Sequence, residues 1–197
     1  MKEYTNLTLW VFTAGYLFWG GAYFVQDFNL EFVIYIGVII AILGTVFCTV
    51  SYTHFPQWQL WLLSVWGLLH VLGGAVETAD GVLFAYRIVP LLDLGGDFYI
   101  LKYDQVVHMY LYGVVALMAY HLFTTKWSEA KGWLVALASI LTSLGISSLN
   151  EIMEFTISLN MKNGVGGYEN TMLDLVFNLS GAVVAIALYK LCCWKKG

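Results

Sequence analysis

Charge is scarce in this chain of 197 residues: Asp, Glu, Lys and Arg make up 11% of it and apolar types 60%. An ordinary soluble domain carries about 25% charged residues. The shortage excludes a water-soluble globule, a disordered tail and a coiled coil. Basic residues are fewest, nine against thirteen acidic, giving a net charge of −4 with no basic tract. A nucleic-acid partner, which would have to be held by cations along its phosphates, is thereby excluded. Three cysteines, Cys48, Cys192 and Cys193, are too few for a disulfide framework and show neither a CxxC nor a Cys/His zinc spacing. The only two prolines, Pro56 and Pro90, fall between apolar stretches, where breaking a helix costs little.

What the chain has in quantity is long apolar runs. A helix crossing a bilayer needs about 20 mainly apolar residues. Six stretches meet that length, roughly 7–25, 31–52, 58–78, 105–125, 132–156 and 172–193. The expected fold is all-α: one polytopic membrane domain over 1–197, a bundle of six transmembrane helices. The first run reads as a retained helix, because Glu3 spoils a basic leader and no small-x-small cleavage site follows. Between the third and fourth runs, residues 79–104 form a long connection whose apolar stretch VLFAYRIVPLLDL is too short to span. It reads either as a re-entrant or surface-lying lid, with Arg87 offering an anion contact, or as a plain interfacial loop.

Counting basic residues on the two sides sets the orientation. Lys2, Lys126, Lys131, Lys190, Lys195 and Lys196 share one side, against Arg87, Lys102 and Lys162 on the other. The excess predicts a multi-pass protein of the cytoplasmic (inner) membrane with both termini in the cytoplasm. Trp10, Trp58, Trp61, Trp127, Trp133 and Trp194 gather near the same ends, as an interfacial belt would. Acidic residues are more lopsided: only Glu3 and Glu129 fall inside, while Asp27, Glu31, Glu77, Asp80, Asp93, Asp97, Asp104, Glu151, Glu154, Glu169 and Asp174 lie towards the outer ends. An outer mouth of that composition attracts cations.

Four runs carry ionisable groups at that outer end. His70 and Glu77 are seven apart in the third, sharing a helix face. Asp104, His108 and Tyr112 follow at intervals of four in the fourth. Glu151 and Glu154 lie three apart in the fifth, with Ser147 one turn further in; Asp174 and Asn178 lie four apart in the sixth. An ionisable group in hydrocarbon costs about 2.5–3.5 kcal/mol near a helix centre, so several of them need pairing, neutralisation or a ligand. His70, flanked by leucines and valine, makes the demand plainest.

Two arrangements satisfy such a set. In one, a divalent metal ion (zinc, manganese or iron) is held by His70, Asp104, His108 and Asp174, keeping carboxylates ionised and imidazoles neutral. In the other, a metal-free hydrogen-bonded network relays protons, with Asp104 orienting His108. Taken singly, Glu77 and Asp104 also suit solvated helix ends, and Asp174 a helix-start carboxylate favoured by the dipole. His54 and His121 read as interfacial, Cys192 and Cys193 as small apolar filler or acylation sites, and Ser147–Ser148 lacks the GxSxG setting of a serine nucleophile.

The motifs LHVLGG around His70, YDQVVHMYLYG, NEIMEF and GYENTMLDLVFNLSGA, in that order across residues 60–183, resemble the YjdF-type family of uncharacterised bacterial inner-membrane proteins. They resemble VanZ-like proteins more distantly. The resemblance implies an α-helical membrane fold with the polar set as its site, and no established reaction. In the family pattern an Asp often stands where this chain has Asn178, so one anionic ligand is missing and a two-metal site is disfavoured.

The leading expectation is a metal-dependent hydrolase acting on a lipid or amphiphile that enters between helices. Glu151 or Glu154 would be the general base, and Asn178 or Tyr112 would orient the substrate. Membrane lipid is the partner implied. The competing expectations are a cation- or proton-coupled transporter, which the near absence of ionisable residues beyond His121 disfavours, and a structural membrane protein.

Overall fold

The computed structural model describes residues 6–79, 81–95, 98–127, 129, 132–159 and 167–194. Lys2, Glu3, Asp80, Asp97, Lys131, Lys162, Lys195 and Lys196, which enter the charge counts, lie outside the described residues, as do the side chains of Cys193 and Trp194. Among the described residues, six α-helices carry the fold: α1 (Leu7–Gln26), α2 (Leu30–Thr53), α3 (Gln57–Ala75), α4 (Tyr103–Lys126), α5 (Gly132–Ser158) and α6 (Tyr168–Trp194). Five of them, α2 to α6, are long and apolar enough to cross a membrane. Helix α1 has 20 residues and no charged side chain, but Trp10, Tyr16, Trp19, Tyr23 and three glycines dilute its aliphatic content.

The chain divides between Tyr86 and Arg87 into two compact units. In the first, Asn6 and Asn29 cap the starts of α1 and α2, each accepting from a main-chain N–H of the first turn. Pro56 precedes α3, where its missing N–H is harmless. Helix α1 packs on α3 and α2 through Leu9, Thr13, Tyr16, Gly20 and Phe24, a stripe at helical spacing. The two buried hydroxyls facing each other across α1 and α3, Thr13 and Ser64, are hydrogen-bonded at 2.6 Å.

The connection after α3 departs from the all-α expectation. Helix α3 stops at Ala75, three residues short of the expected 78, and an antiparallel pair follows, β1 (Glu77–Thr78) with β2 (Gly81–Val82), then a short 3-10 turn at Leu83–Ala85. Glu77 is therefore on a strand and does not share a helix face with His70. The second unit opens with an antiparallel hairpin, β3 (Arg87–Gly95) and β4 (Phe98–Lys102). The stretch read as a lid or loop is thus a β-ribbon. The physical reason lies in β-branched and aromatic residues at Ile88, Val89, Tyr99 and Ile100, with Gly95 at the end of the first strand, a pattern that favours a hairpin over a helix.

In the second unit α4 packs most extensively on α6 and then on α5. At the crossing, a side chain on Gly181 would run into the main chain at Met109, and one on Gly113 would come within 3.2 Å of the Gly181 carbonyl. Small residues at both positions let the helix backbones approach, as at helix pairs in membranes generally. Along α5 every fourth residue from Val135 through Ser139, Ser143 and Ser147 to Glu151 is buried, while Leu141, Leu149, Ile152 and Phe155 are exposed. Polar inside and apolar outside inverts the pattern of a soluble helix, and only lipid satisfies it.

Candidate metal centre

Three helices of the second unit each carry a stripe with a repeat of four, polar at one end and apolar at the other in α4 and α6, and polar over most of its length in α5. In α4 it runs Asp104, His108, Tyr112, Ala116; in α6, Asn170, Asp174, Asn178, Ala182, Ile186; in α5, Glu151 and Ser147 continue into Ser143 and Ser139. The polar ends meet. His108 Nε2 lies 3.6 Å from Asp104 Oδ1, and Nδ1 lies 3.2 Å from Asn178 Oδ1 and 3.5 Å from Glu151 Oε1. Asn178 Nδ2 donates to Ser147 Oγ at 2.8 Å and points to Glu151 Oε1 at 3.5 Å. Asn170 Nδ2 donates to Asp174 Oδ2 at 2.6 Å. Glu154 accepts from Asn150 Nδ2 at 2.7 Å and interacts electrostatically with His108, Glu151 and Asp174.

These contacts bear on the proton at His108 Nδ1. With the amide nitrogen of Asn178 directed at Ser147 and Glu151, its oxygen is the atom left to accept from His108 Nδ1–H. A neutral imidazole protonated at Nδ1 carries its lone pair on Nε2, the nitrogen that faces Asp104. Hydrogen bonding of one ring nitrogen to fix the other as a donor is the usual support of a metal-bound histidine.

Asp174 is 1% exposed, and its Oδ1 has no hydrogen-bond partner among the described residues. A buried carboxylate oxygen left unmet costs about 1–3 kcal/mol or more, which makes it the site's outstanding irregularity. One ligand atom from each of Asp104, His108 and Asp174 lies within 4.8 Å of the other two. Metal–ligand bonds of about 2.0–2.2 Å put the donors of one tetrahedral ion about 3.3–3.6 Å apart, so side-chain adjustments of about an ångström would let these three atoms share an ion. One nitrogen and carboxylate oxygens, with no thiolate, suit zinc, manganese or ferrous iron.

Of the residues expected at the site, Asp104, His108, Tyr112, Glu151, Asp174 and Asn178 gather here, and Glu154 borders them. Tyr112 is buried, its ring 6.1 Å from that of His108. Asn178, expected to orient substrate, is engaged by His108 and Ser147 and positions the imidazole. Asp174 is not in the first turn of its helix, because α6 begins at Tyr168 rather than 172; a dipole-favoured helix start does not account for it. His70 belongs to the first unit, where its ring packs against those of Tyr35, Trp66 and Phe84 at 5.7, 5.7 and 5.0 Å. Arg87, read as an anion contact, lies 3.8 Å from Asp93 and 4.8 Å above the Tyr99 ring.

Sequence reasoning missed Lys102, Gln105 and Asn170. Lys102 Nζ donates to Asn170 Oδ1 at 3.2 Å, extending the network to the edge of the hairpin. Gln105, wholly buried, accepts from the Leu101 and Lys102 N–H groups at 2.8 and 3.0 Å and donates to the Tyr99 carbonyl at 2.9 Å. The four-residue repeat of Asn170, Asp174 and Asn178 was the signal available for one of the three.

Apolar outward faces, buried polar stripes and five spans define a multi-pass α-helical membrane protein. More particularly, the chain belongs to the family described as predicted membrane protein (DUF2238), whose pattern matches residues 5–195; the YjdF-type resemblance is consistent with that membership. No curated protein and no solved structure matches it.

Proposed function

We propose that Asp104, His108 and Asp174 hold a divalent ion (zinc, manganese or ferrous iron) and that the second unit is a membrane-embedded hydrolase for a lipid or amphiphile. Asp174, whose carboxylate lies near His108 and Asp104 and whose buried Oδ1 has no hydrogen-bond partner among the described residues, is the observation that carries this reading. A bound ion would supply a Lewis acid and lower the pKa of a water towards about 7. The residues then divide the work. Asn178 holds His108 with Nε2 inward, and Asn170 holds Asp174 through Oδ2. Glu154 takes the proton of the attacking water and returns it to the leaving oxygen as the substrate bond breaks. Glu151, against His108 and Asn178, sets the charge around the imidazole.

The basic-residue count supports a site near the extracytoplasmic face of the inner membrane, with both termini cytoplasmic. Transport is the weaker reading: below the polar ends, Ala116, Ala182 and Ile186 form a buried apolar cluster with Leu117 and Ile140 packed on it, which closes the path. Glu154→Gln is the discriminating variant. It should abolish turnover of an ester-bearing amphiphile while metal content stays that of the unaltered protein; full turnover with the glutamine would remove Glu154 as base.

A further inference from the structure

At the base of the hairpin, Arg87 and Lys102 are direct cross-strand partners. Side chains so placed start about 4.5–5.5 Å apart at Cβ, and like charges there repel. Asp93 offsets Arg87 at 3.8 Å, but both side chains of that pair are 44% exposed, where an ion pair is weak. Lys102 is aimed with care. Leu101 just before it holds φ at 86°, a conformation unfavourable for a branched residue, and buried Gln105 clasps the backbone on both sides of that strain. The strained corner directs Lys102 Nζ to Asn170, whose own amide holds Asp174. Lys102 thus stands one side chain, Asn170, away from the candidate metal ligand Asp174, and Arg87 is its cross-strand neighbour.

The rest of the ribbon has the opposite chemistry. Ile88, Val89, Leu91, Leu92 and Leu94 are 39% to 68% exposed, and since successive strand residues point to opposite faces, both faces are apolar. Helix α4, a membrane span, begins at Tyr103, directly after β4, so the ribbon springs from the end of a span. A ribbon apolar on both faces at the end of a span suits the level of the lipid headgroups, where its strand edges would stay wet.

We propose that Arg87 and Lys102 form a subsite for a phosphate group and that the phosphate belongs to a lipid, whose acyl chains lie along the apolar ribbon. The inference rests on the hydrolase reading for its meaning and names that enzyme's substrate class: a phosphate-bearing amphiphile, its anionic head bound by two cations beside the metal ligands.

The test uses the purified full chain in detergent, with metal content measured in every sample. Short-chain phosphatidic acid, the matching diacylglycerol and inorganic phosphate are titrated against the unaltered protein, Arg87→Gln, Lys102→Gln and the charge-retaining Arg87→Lys. Phosphatidic acid should bind at least tenfold tighter than either of the other probes. Each glutamine variant should lose at least tenfold of that affinity with its metal retained, and Arg87→Lys should recover most of it. Equal affinity for diacylglycerol, or undiminished binding by Arg87→Gln, overturns the subsite; equal affinity for inorganic phosphate overturns its assignment to lipid. A metal-free protein that still needs Arg87 and Lys102 for phosphatidic acid would leave the subsite standing and sink the hydrolase reading.

Discussion

Two atoms organise the site at the scale of single residues: Asp174 Oδ1, buried with no hydrogen-bond partner among the described residues, and His108 Nε2, which faces Asp104 while Asn178 bonds to Nδ1. If that bond fixes the tautomer, Asn178→Leu should weaken metal binding by about 10–100-fold, the usual cost of losing such a support, in a titration against a chromophoric chelator. Unchanged affinity would mean that Asn178 only packs. His108 and Asp174 were legible in the sequence because an ionisable group inside an apolar run is costly and has to be explained. The same logic singled out His70, whose surroundings are aromatic rings at 5.0–5.7 Å. Cost of burial marks a residue as needing an environment without saying which one. Gln105 and Asn170 escaped notice for the converse reason: a neutral amide near a helix start is cheap to solvate, and nothing in its neighbours announces that it is buried.

Among the elements, the crossing of α4 and α6 sets how closely the ligands on those two helices approach. Gly181→Ala places a methyl against the Met109 main chain, which cannot swing aside as a side chain would. Overpacking of this kind costs about 1–3 kcal/mol, so the variant should melt at lower temperature in detergent and hold metal less tightly. Gly145→Ala, on α5 with open space around it, should do neither. Gln105→Leu strips acceptors from the Leu101 and Lys102 N–H groups, and faster hydrogen exchange at those two amides is the expected result. The spans themselves were readable because their length and apolarity are imposed by the bilayer. Their ends were less so: α3 breaks off before Glu77, and α6 starts four residues before the expected 172, because polar residues at a helix boundary fit either side of it. The ribbon was unreadable as such, since a short apolar run such as RIVPLLDL has no period long enough to separate strand from buried helix.

For the molecule as a whole, the polar chemistry of the second unit lies at one end of a bundle whose other end is closed by Ala116, Ala182 and Ile186. Polar groups gathered at one end, with an apolar cluster beyond them, fit the proposed reaction on a membrane amphiphile better than passage through the membrane. If α1 crosses as well as the five apolar spans, both termini lie on one side, and the basic-residue count favours the cytoplasm; fluorescent-protein fusions at either end should then fluoresce, whereas a dark fusion at one end would show that α1 does not cross. Elemental analysis of the purified protein beside its Asp174→Asn variant tests whether the proposed ion is there. About one equivalent of zinc, manganese or iron per chain, lost in the variant while the helical circular-dichroism signal is kept, is the predicted result. A protein that carries no such metal after purification without chelators and takes none up on titration, or a variant that retains it in full, would contradict the account.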